Sequence, residues 1–270
     1  MRQNFSYHTH TFYSDGAKSP EEMILKAIDL GLDSIGISDH APIKEDPTHW
    51  NMKEEDLLQY FVDLKVLKEK YKDKIDVLLG LEIDYIPNII SAQSDYLQAK
   101  LFDYHIGSVH FVGNLDDGTL WDFEGTKTQI AKGLSEIFDN DVKKMVQQYY
   151  LLIREMIEIS KPNIVGHLDR IKIINRIYDY FDEQADWYQY EIEETLNLIA
   201  AKGCIMEINT KGMYRKGDKE PYPSLWIIEK AKSKKIPMHI AADAHHPKYL
   251  IERFDDIFRL INIDISSIPS

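Results

Sequence analysis

The sequence predicts an α/β fold of repeated strand–helix units wrapped around a mostly parallel sheet. Short apolar runs alternate with longer amphipathic ones along the whole chain, the pattern such units produce. The 270 residues, 44% of them hydrophobic, suit one barrel-sized core. No solenoid-type repeat, low-complexity segment or Pro/Gly/Ser-rich linker divides the chain, so residues 1–270 are expected to form a single domain.

The first strand is expected at Phe5 to His8. The helix after it is marked by Ser19 as N-cap, Pro20 at its first position, Glu22 completing a capping box and Gly31 ending it in the left-handed region. Ser34 to Ser38 reads as the second strand, followed by a helix with Leu57, Phe61, Leu64 and Tyr71 on one face. Further strands are expected at Val77 to Ile83, His105 to His110, Asn163 to His167, Cys204 to Asn209 and Pro237 to Asp243, making seven. Helical spacing recurs at Val142, Met145, Val146, Tyr149, Ile153, Met156 and Ile157, and at Tyr188, Ile192, Leu196 and Ile199. On this reading every strand has a following helix. Phe111 to Lys127 is the longest loop-like stretch, and with Trp121 and several acidic residues it is placed to cover a site.

Asp and Glu number 45 against 32 Lys and Arg, a net charge of -13, which speaks against a broad grip on nucleic acid or anionic lipid. It leaves room for a small anionic substrate, because metal ions and a few basic side chains can reverse the local field. A single cysteine, Cys204, sits in an apolar run, so an intrachain disulfide is impossible and a packing role is expected. With no signal-peptide pattern and no membrane-span candidate, the expected location is cytoplasmic.

The chemistry lies in where the histidines fall. Of ten, six stand at or just beyond the end of an expected strand: His8, His10, His40, His110, His167 and His245. In a strand–helix barrel those ends converge on one face, so residues distant in sequence become neighbours. His8 and His10, two apart on an extended segment, can reach one cation together, and Asp243 and His245 repeat the spacing. Glu82 lies at another strand end and Asp15 in the loop after the first strand. A lone histidine at a strand end is more often a hydrogen-bonded structural residue than a ligand, but a metal-binding type at nearly every strand end is not the product of chance placement. Nine candidate ligands exceed what one ion needs, so two or three divalent ions are expected; imidazole with carboxylate suits Zn, Mn or Fe, and Glu82 could bridge two of them. His49, His105, His239 and His246 are read as structural, and Asp39, Asp84 and Asp169 as partners or caps beside the ligands.

These residues resemble the polymerase-and-histidinol-phosphatase (PHP) superfamily, in particular its stand-alone histidinol-phosphatases. The resemblance covers essentially the whole chain and rests on His8-Thr9-His10, Ser38-Asp39-His40-Ala41-Pro42, Gly80-Leu81-Glu82, Gly107-Ser108-Val109-His110, Gly166-His167-Leu168-Asp169, Glu207-Ile208-Asn209-Thr210 and Asp243-Ala244-His245. It implies a distorted (β/α)7 barrel and a three-metal centre. One ion would take His8, His10, Glu82 and Asp243, a second Glu82, His110 and His167, and a third Asp15, His40 and His245. It also implies basic residues for the phosphoryl group, for which Arg170 and Arg215 are the choices. The implied reaction is hydrolysis of L-histidinol phosphate, a small-molecule phosphate monoester, in histidine biosynthesis, by in-line attack of a metal-bridging hydroxide. Asp15, Asp243 and a metal-bound water are the candidates to protonate the leaving alkoxide. The competing readings are a related metal phosphoesterase acting on nucleotides or other phosphorylated metabolites, and a non-catalytic metal domain serving a partner. The sequence leaves the oligomeric state open.

Overall fold

The computed structural model describes residues 3–44, 49–176 and 178–261. The chain opens with a short strand β1 (Phe5–Ser6) and helix α1 (Pro20–Asp29), whose Ser19–Glu22 capping box forms as the sequence predicts. Gly31, at φ +70°, ends that helix and turns the chain into β2 (Ser34–Ile37). Helix α2 (Leu57–Tyr71) and the long strand β3 (Asp76–Asp84) follow, then β4 (Tyr104–Ser108). The hairpin β5 (Phe111–Asn114) and β6 (Leu120–Asp122) precedes helices α3 (Lys127–Phe138) and α4 (Val142–Ser160). The remainder alternates: β7 (Ile164–Val165), α5 (Asp186–Lys202), β8 (Ile205–Asn209), α6 (Lys211–Arg215), α7 (Leu225–Ser233), β9 (Met238–Ala241) and α8 (Phe254–Leu260).

Seven strands pair in parallel in the order β1-β2-β3-β4-β7-β8-β9, each a little shorter or longer than its apolar run suggested. The gap between β9 and β1 is bridged by other means. The Gln3 side-chain amide stands in for a backbone pair, donating to Ile240 O (2.6 Å) and accepting from Ile240 N (2.8 Å). Beyond it, His10 N donates to Ala244 O (2.9 Å) and Ala244 N to His8 O (3.1 Å). The result is a nearly closed barrel, a distorted relative of the (β/α)8 form.

The barrel floor is filled by Tyr7, Leu78, Tyr104, Ile106, Ile164 and Ile205. Tyr104 fits because β2 and β3 carry glycine opposite it: a Cβ on Gly36 would lie 2.1 Å from its hydroxyl, and one on Gly80 2.3 Å from its Cζ. Its hydroxyl donates to Tyr7 O. With the floor plugged by apolar side chains, the cluster of histidines and carboxylates lies at the rim, at the C-terminal strand ends.

Two expectations are corrected. No α-helix follows β3: the chain turns at Ile86–Ile90, with Asn88 at φ +63°, and makes only two 3-10 turns, Asp95–Leu97 and Ala99–Leu101. Pro87 lacks the N–H a helix needs, and no apolar period follows it. The stretch from Phe111 is also not a plain loop, since it contains the β5–β6 hairpin. Trp121 anchors it: the indole is buried, donates to Gln129 O (3.1 Å) and packs on Phe138.

Candidate metal centre

At the barrel rim the strand ends bring all nine candidate ligands to one place, with Glu82 in the middle. Glu82 is 1% exposed, so its carboxylate depends wholly on protein neighbours. Its Oε2 lies 3.1 Å from His8 Nε2, 3.4 Å from His10 Nε2 and 3.0 Å from His40 Nδ1. Its Oε1 faces His167 Nε2 (3.1 Å) and His110 Nε2 (3.8 Å), and accepts from Ser108 Oγ (2.6 Å). One carboxylate thus stands between two sets of imidazoles. Asp243, at φ +49° just past β9, lies 3.2 Å from His10 Nε2 and 3.8 Å from His8 Nε2. Asp15 completes the outer edge, 2.9 Å from His245 Nε2, 3.8 Å from His10 Nδ1 and 3.9 Å from His40 Nε2.

The electrostatics are those of a cation site. Burial alone would raise Glu82, but His40 and His8, with hydrogen bonds from His167 and His8, hold it well below the usual carboxylate range. Asp243 is likewise pushed up by burial and brought far down by Lys211, His8, His10 and His245; Asp15, against its burial, is lowered by His245, His40 and His10. Both carboxyls are held toward the ionised form, which suits a ligand role and does not suit proton donation. His245 is lowered to about 4 by burial, Lys211 and His10, leaving a neutral ring whose Nε2 faces Asp15 and Lys211.

Several buried nitrogens lack hydrogen-bond partners: both of His10, Nδ1 of His40 and Nδ1 of His167. Orphaned imidazole nitrogens in a buried, carboxylate-rich cluster fit a coordinating role. Among the described residues, three groups have donor atoms all within 4.8 Å of one another: His10, Asp15, His40 and His245; His8, His10 and Asp243; and His40, Glu82 and His110. Compared with the sharing implied by the family resemblance, His10 and His40 each fall in two of these groups, while His167 reaches the centre through Glu82.

Surrounding residues hold the ligands still. Asp39 accepts from Thr11 N and Oγ1 and from Ser14 N and Oγ, fixing the loop that carries Asp15. Asp84 accepts from His110 N (3.0 Å) and faces its Nδ1 (2.9 Å). Asp169 takes no part in the ligand groups; it accepts from Ser224 N and pairs with Lys172 (2.9 Å). Of the remaining histidines, His239 is buried against Phe5 and Tyr7 in the floor, and His246 accepts from Lys248 N at a turn. His105 is partly buried on β4 and His49 is exposed.

Beside the ligands lies a pocket of ≈ 220 Å³, whose wall adds Trp50, Asp122, Glu124, Arg170 and Lys211. Arg170 is buried there and held in bidentate fashion by Glu124, Nε to Oε1 at 2.5 Å and Nη2 to Oε2 at 2.6 Å. Arg215 is not in this pocket. Tyr214 stacks on Tyr249 (4.7 Å) and donates to Ala242 O, which turns the far end of α6 outward, and Arg215 is exposed beside the Tyr249 hydroxyl. Lys211, at the near end of α6, occupies the place instead, 3.0 Å from Asp243 Oδ1 and 3.2 Å from His245 Nε2. Sequence reading missed Lys211, Glu124, Asp122 and Trp50. It also left Glu207 without a role, although a carboxylate inside the apolar run Ile205-Met206-Glu207-Ile208 was a usable signal.

Comparison with known proteins agrees with this geometry. A Bacillus subtilis protein named histidinol-phosphatase is 27% identical over 82% of this chain and 84% of its own length. A Deinococcus radiodurans protein named "Probable histidinol-phosphatase" is 27% identical over 94% of this chain and 91% of its own. Two crystal structures share the fold. A Listeria monocytogenes protein superposes with TM-score 0.79 at 23% identity, covering 93% of this chain and 99% of that one. A histidinol phosphate phosphatase from Lactococcus lactis, complexed with Zn, L-histidinol and phosphate, superposes with TM-score 0.69 at 19% identity, covering 96% and 93%. The model of the PHP domain matches residues 6–211, well over half of the sequence, and the chain belongs to that family.

Proposed function

We propose that this protein is a metal-dependent histidinol-phosphatase that hydrolyses L-histidinol phosphate to L-histidinol and phosphate, a step of histidine biosynthesis. The observation that carries the reading is Glu82, whose two oxygens face two sets of imidazoles, of which His40 and His110 also line a pocket sized for a small metabolite. Two to three divalent ions would be held by His8, His10, Asp15, His40, Glu82, His110, His167, Asp243 and His245. The zinc, histidinol and phosphate in the Lactococcus structure and the names of the curated relatives support both the ions and the substrate. We take residues 1–270 to act as one domain in the cytoplasm, in keeping with the absence of any described helix long and apolar enough to cross a membrane.

When bound, the ions supply Lewis acidity, acidifying a coordinated water and neutralising charge on the phosphoryl oxygens. The chain's own residues do the rest. Glu82 and Asp243 would hold the ions together with the surrounding imidazoles, and Asp243, kept ionised by Lys211 and its histidine neighbours, orients the attacking water as a hydrogen-bond acceptor. Arg170, its Nε–Nη2 edge taken by Glu124, presents the other edge of its fork to phosphate oxygens, and Lys211 adds a second positive charge. Asp122 and Glu124 line the wall with carboxylates, complementary to a leaving group that carries an amine and an imidazole.

The test is a substrate panel on metal-reconstituted protein. Histidinol phosphate should exceed nucleoside monophosphates and sugar phosphates in kcat/KM by about tenfold or more, the ~1.4 kcal/mol that one favourable ionic contact can supply. Equal rates across the panel would end the substrate assignment and leave only a general phosphoesterase.

A further inference from the structure

Glu207 is fully buried in β8 beneath the ligand cluster and belongs to none of the candidate metal groups. Its Oε2 lies 2.6 Å from His8 Nδ1. Its Oε1 accepts from Asn209 Nδ2 (2.6 Å) and from His167 N (3.3 Å). Asn209 in turn donates through the same nitrogen to Asp243 Oδ2 (3.3 Å). One carboxylate therefore touches the supports of three proposed ligands.

The neighbours on the Oε1 side can only donate. A main-chain N–H has no lone pair to offer. The Asn209 amide cannot turn round, because its Oδ1 is committed to Lys211 N (2.9 Å). An acceptor is required at Oε1 whatever happens at Oε2.

We propose that Glu207 fixes His8 in the tautomer protonated at Nδ1, so that Nε2 offers its lone pair to the ion, and that Glu207 thereby sets the affinity of that ion. This rests on the metal-centre reading above. The substitution Glu207→Gln isolates the effect. A glutamine must keep its carbonyl toward Asn209 and His167, which leaves its NH2 facing His8 Nδ1. That nitrogen then has to accept, the proton moves to Nε2, and the coordinating lone pair is lost. The opposite orientation sets an NH2 against two donors and leaves all three unsatisfied. Shape and hydrogen-bond count are nearly conserved, so a role in packing alone predicts little change.

The experiment is zinc titration of wild-type and Glu207→Gln protein against a competing chelator, with 15N spectra of the imidazoles in the zinc-loaded state. One ion in the variant should bind about 10- to 100-fold more weakly, with the other ions unchanged. Zinc-loaded wild type should show His8 protonated at Nδ1, identified by the resonance missing in His8→Ala. If wild type binds no zinc, this inference and the functional reading fall together. If wild type binds zinc and the variant matches it with His8 still protonated at Nδ1, only the role of Glu207 falls. Should the variant fail to fold, the wild-type spectrum decides: Nδ1–H supports the proposal and Nε2–H overturns it.

Discussion

The ion pair between Arg170 and Glu124 ties the hairpin to the pocket, and Glu124→Gln tests how much it matters. Both hydrogen bonds are short, at 2.5 and 2.6 Å, and the Arg170 side chain is only 10% exposed. Removing one partner of a buried pair costs about 3–5 kcal/mol. The Glu124 side chain keeps 21% of its surface in solvent, and glutamine retains one acceptor, so the lower end of that range, about 3 kcal/mol, is the better figure. The acidity of Glu124 gives a similar value: burial opposes ionisation, but Arg170 and then His110 and Lys211 bring its pKa from the ordinary 4.5 to about 2. That shift corresponds to roughly 3 kcal/mol of stability at neutral pH. For a chain of this size it lowers Tm by about 6–12 °C.

The sign with pH is fixed by the direction of the shift. The folded-state pKa lies below the unfolded one, so the stabilisation is complete above about pH 4.5 and fades as pH falls toward 2. Thermal melts of wild type and Glu124→Gln, at constant zinc and from pH 7 down to 3.5, should show a gap that narrows below pH 4.5. The freed Arg170 should also raise KM for phosphate esters by about tenfold. Equal Tm at pH 7, or a gap that stays constant on acidification, would refute the reasoning.

Three further outcomes follow from the same geometry. Gly80→Ala should destabilise the barrel by about 3 kcal/mol, because the new methyl meets Tyr104 in a floor with no room to yield; urea unfolding at constant zinc measures it, and an unchanged midpoint would contradict the packing described. His245→Ala should remove most activity and reduce the number of bound ions seen by elemental analysis, with the far-UV dichroism unaltered. Lys211→Ala should raise KM by about tenfold while Arg215→Ala stays within about twofold, since only the first lines the pocket. A large effect at Arg215 would restore it as the phosphate contact.

Sequence reading succeeded where one residue type carries the information. Seven apolar runs located the seven strands, and the rule that strand ends converge was enough to gather His8, Glu82, His167 and Asp243 before any coordinates. It failed where the outcome depends on pairing. The β5–β6 hairpin has strands of only four and three residues and was read as loop, so Asp122 and Glu124 went unnoticed as pocket residues. Arg215 was preferred over Lys211 for its guanidinium, yet the Tyr214–Tyr249 stack decides which end of a five-residue helix faces the site. Glu207 was legible as part of the motif Glu207-Ile208-Asn209-Thr210 but without a role, and only its hydrogen bonds to His8, Asn209 and His167 reveal what a carboxylate does there.

The central claim is that ions gather around Glu82, and anomalous scattering at the zinc edge from crystals of the zinc-loaded protein tests it most directly. Two or three strong peaks should appear, one beside each Glu82 oxygen and any third near Asp15 and His245. A single peak, or peaks remote from Glu82, would contradict the account.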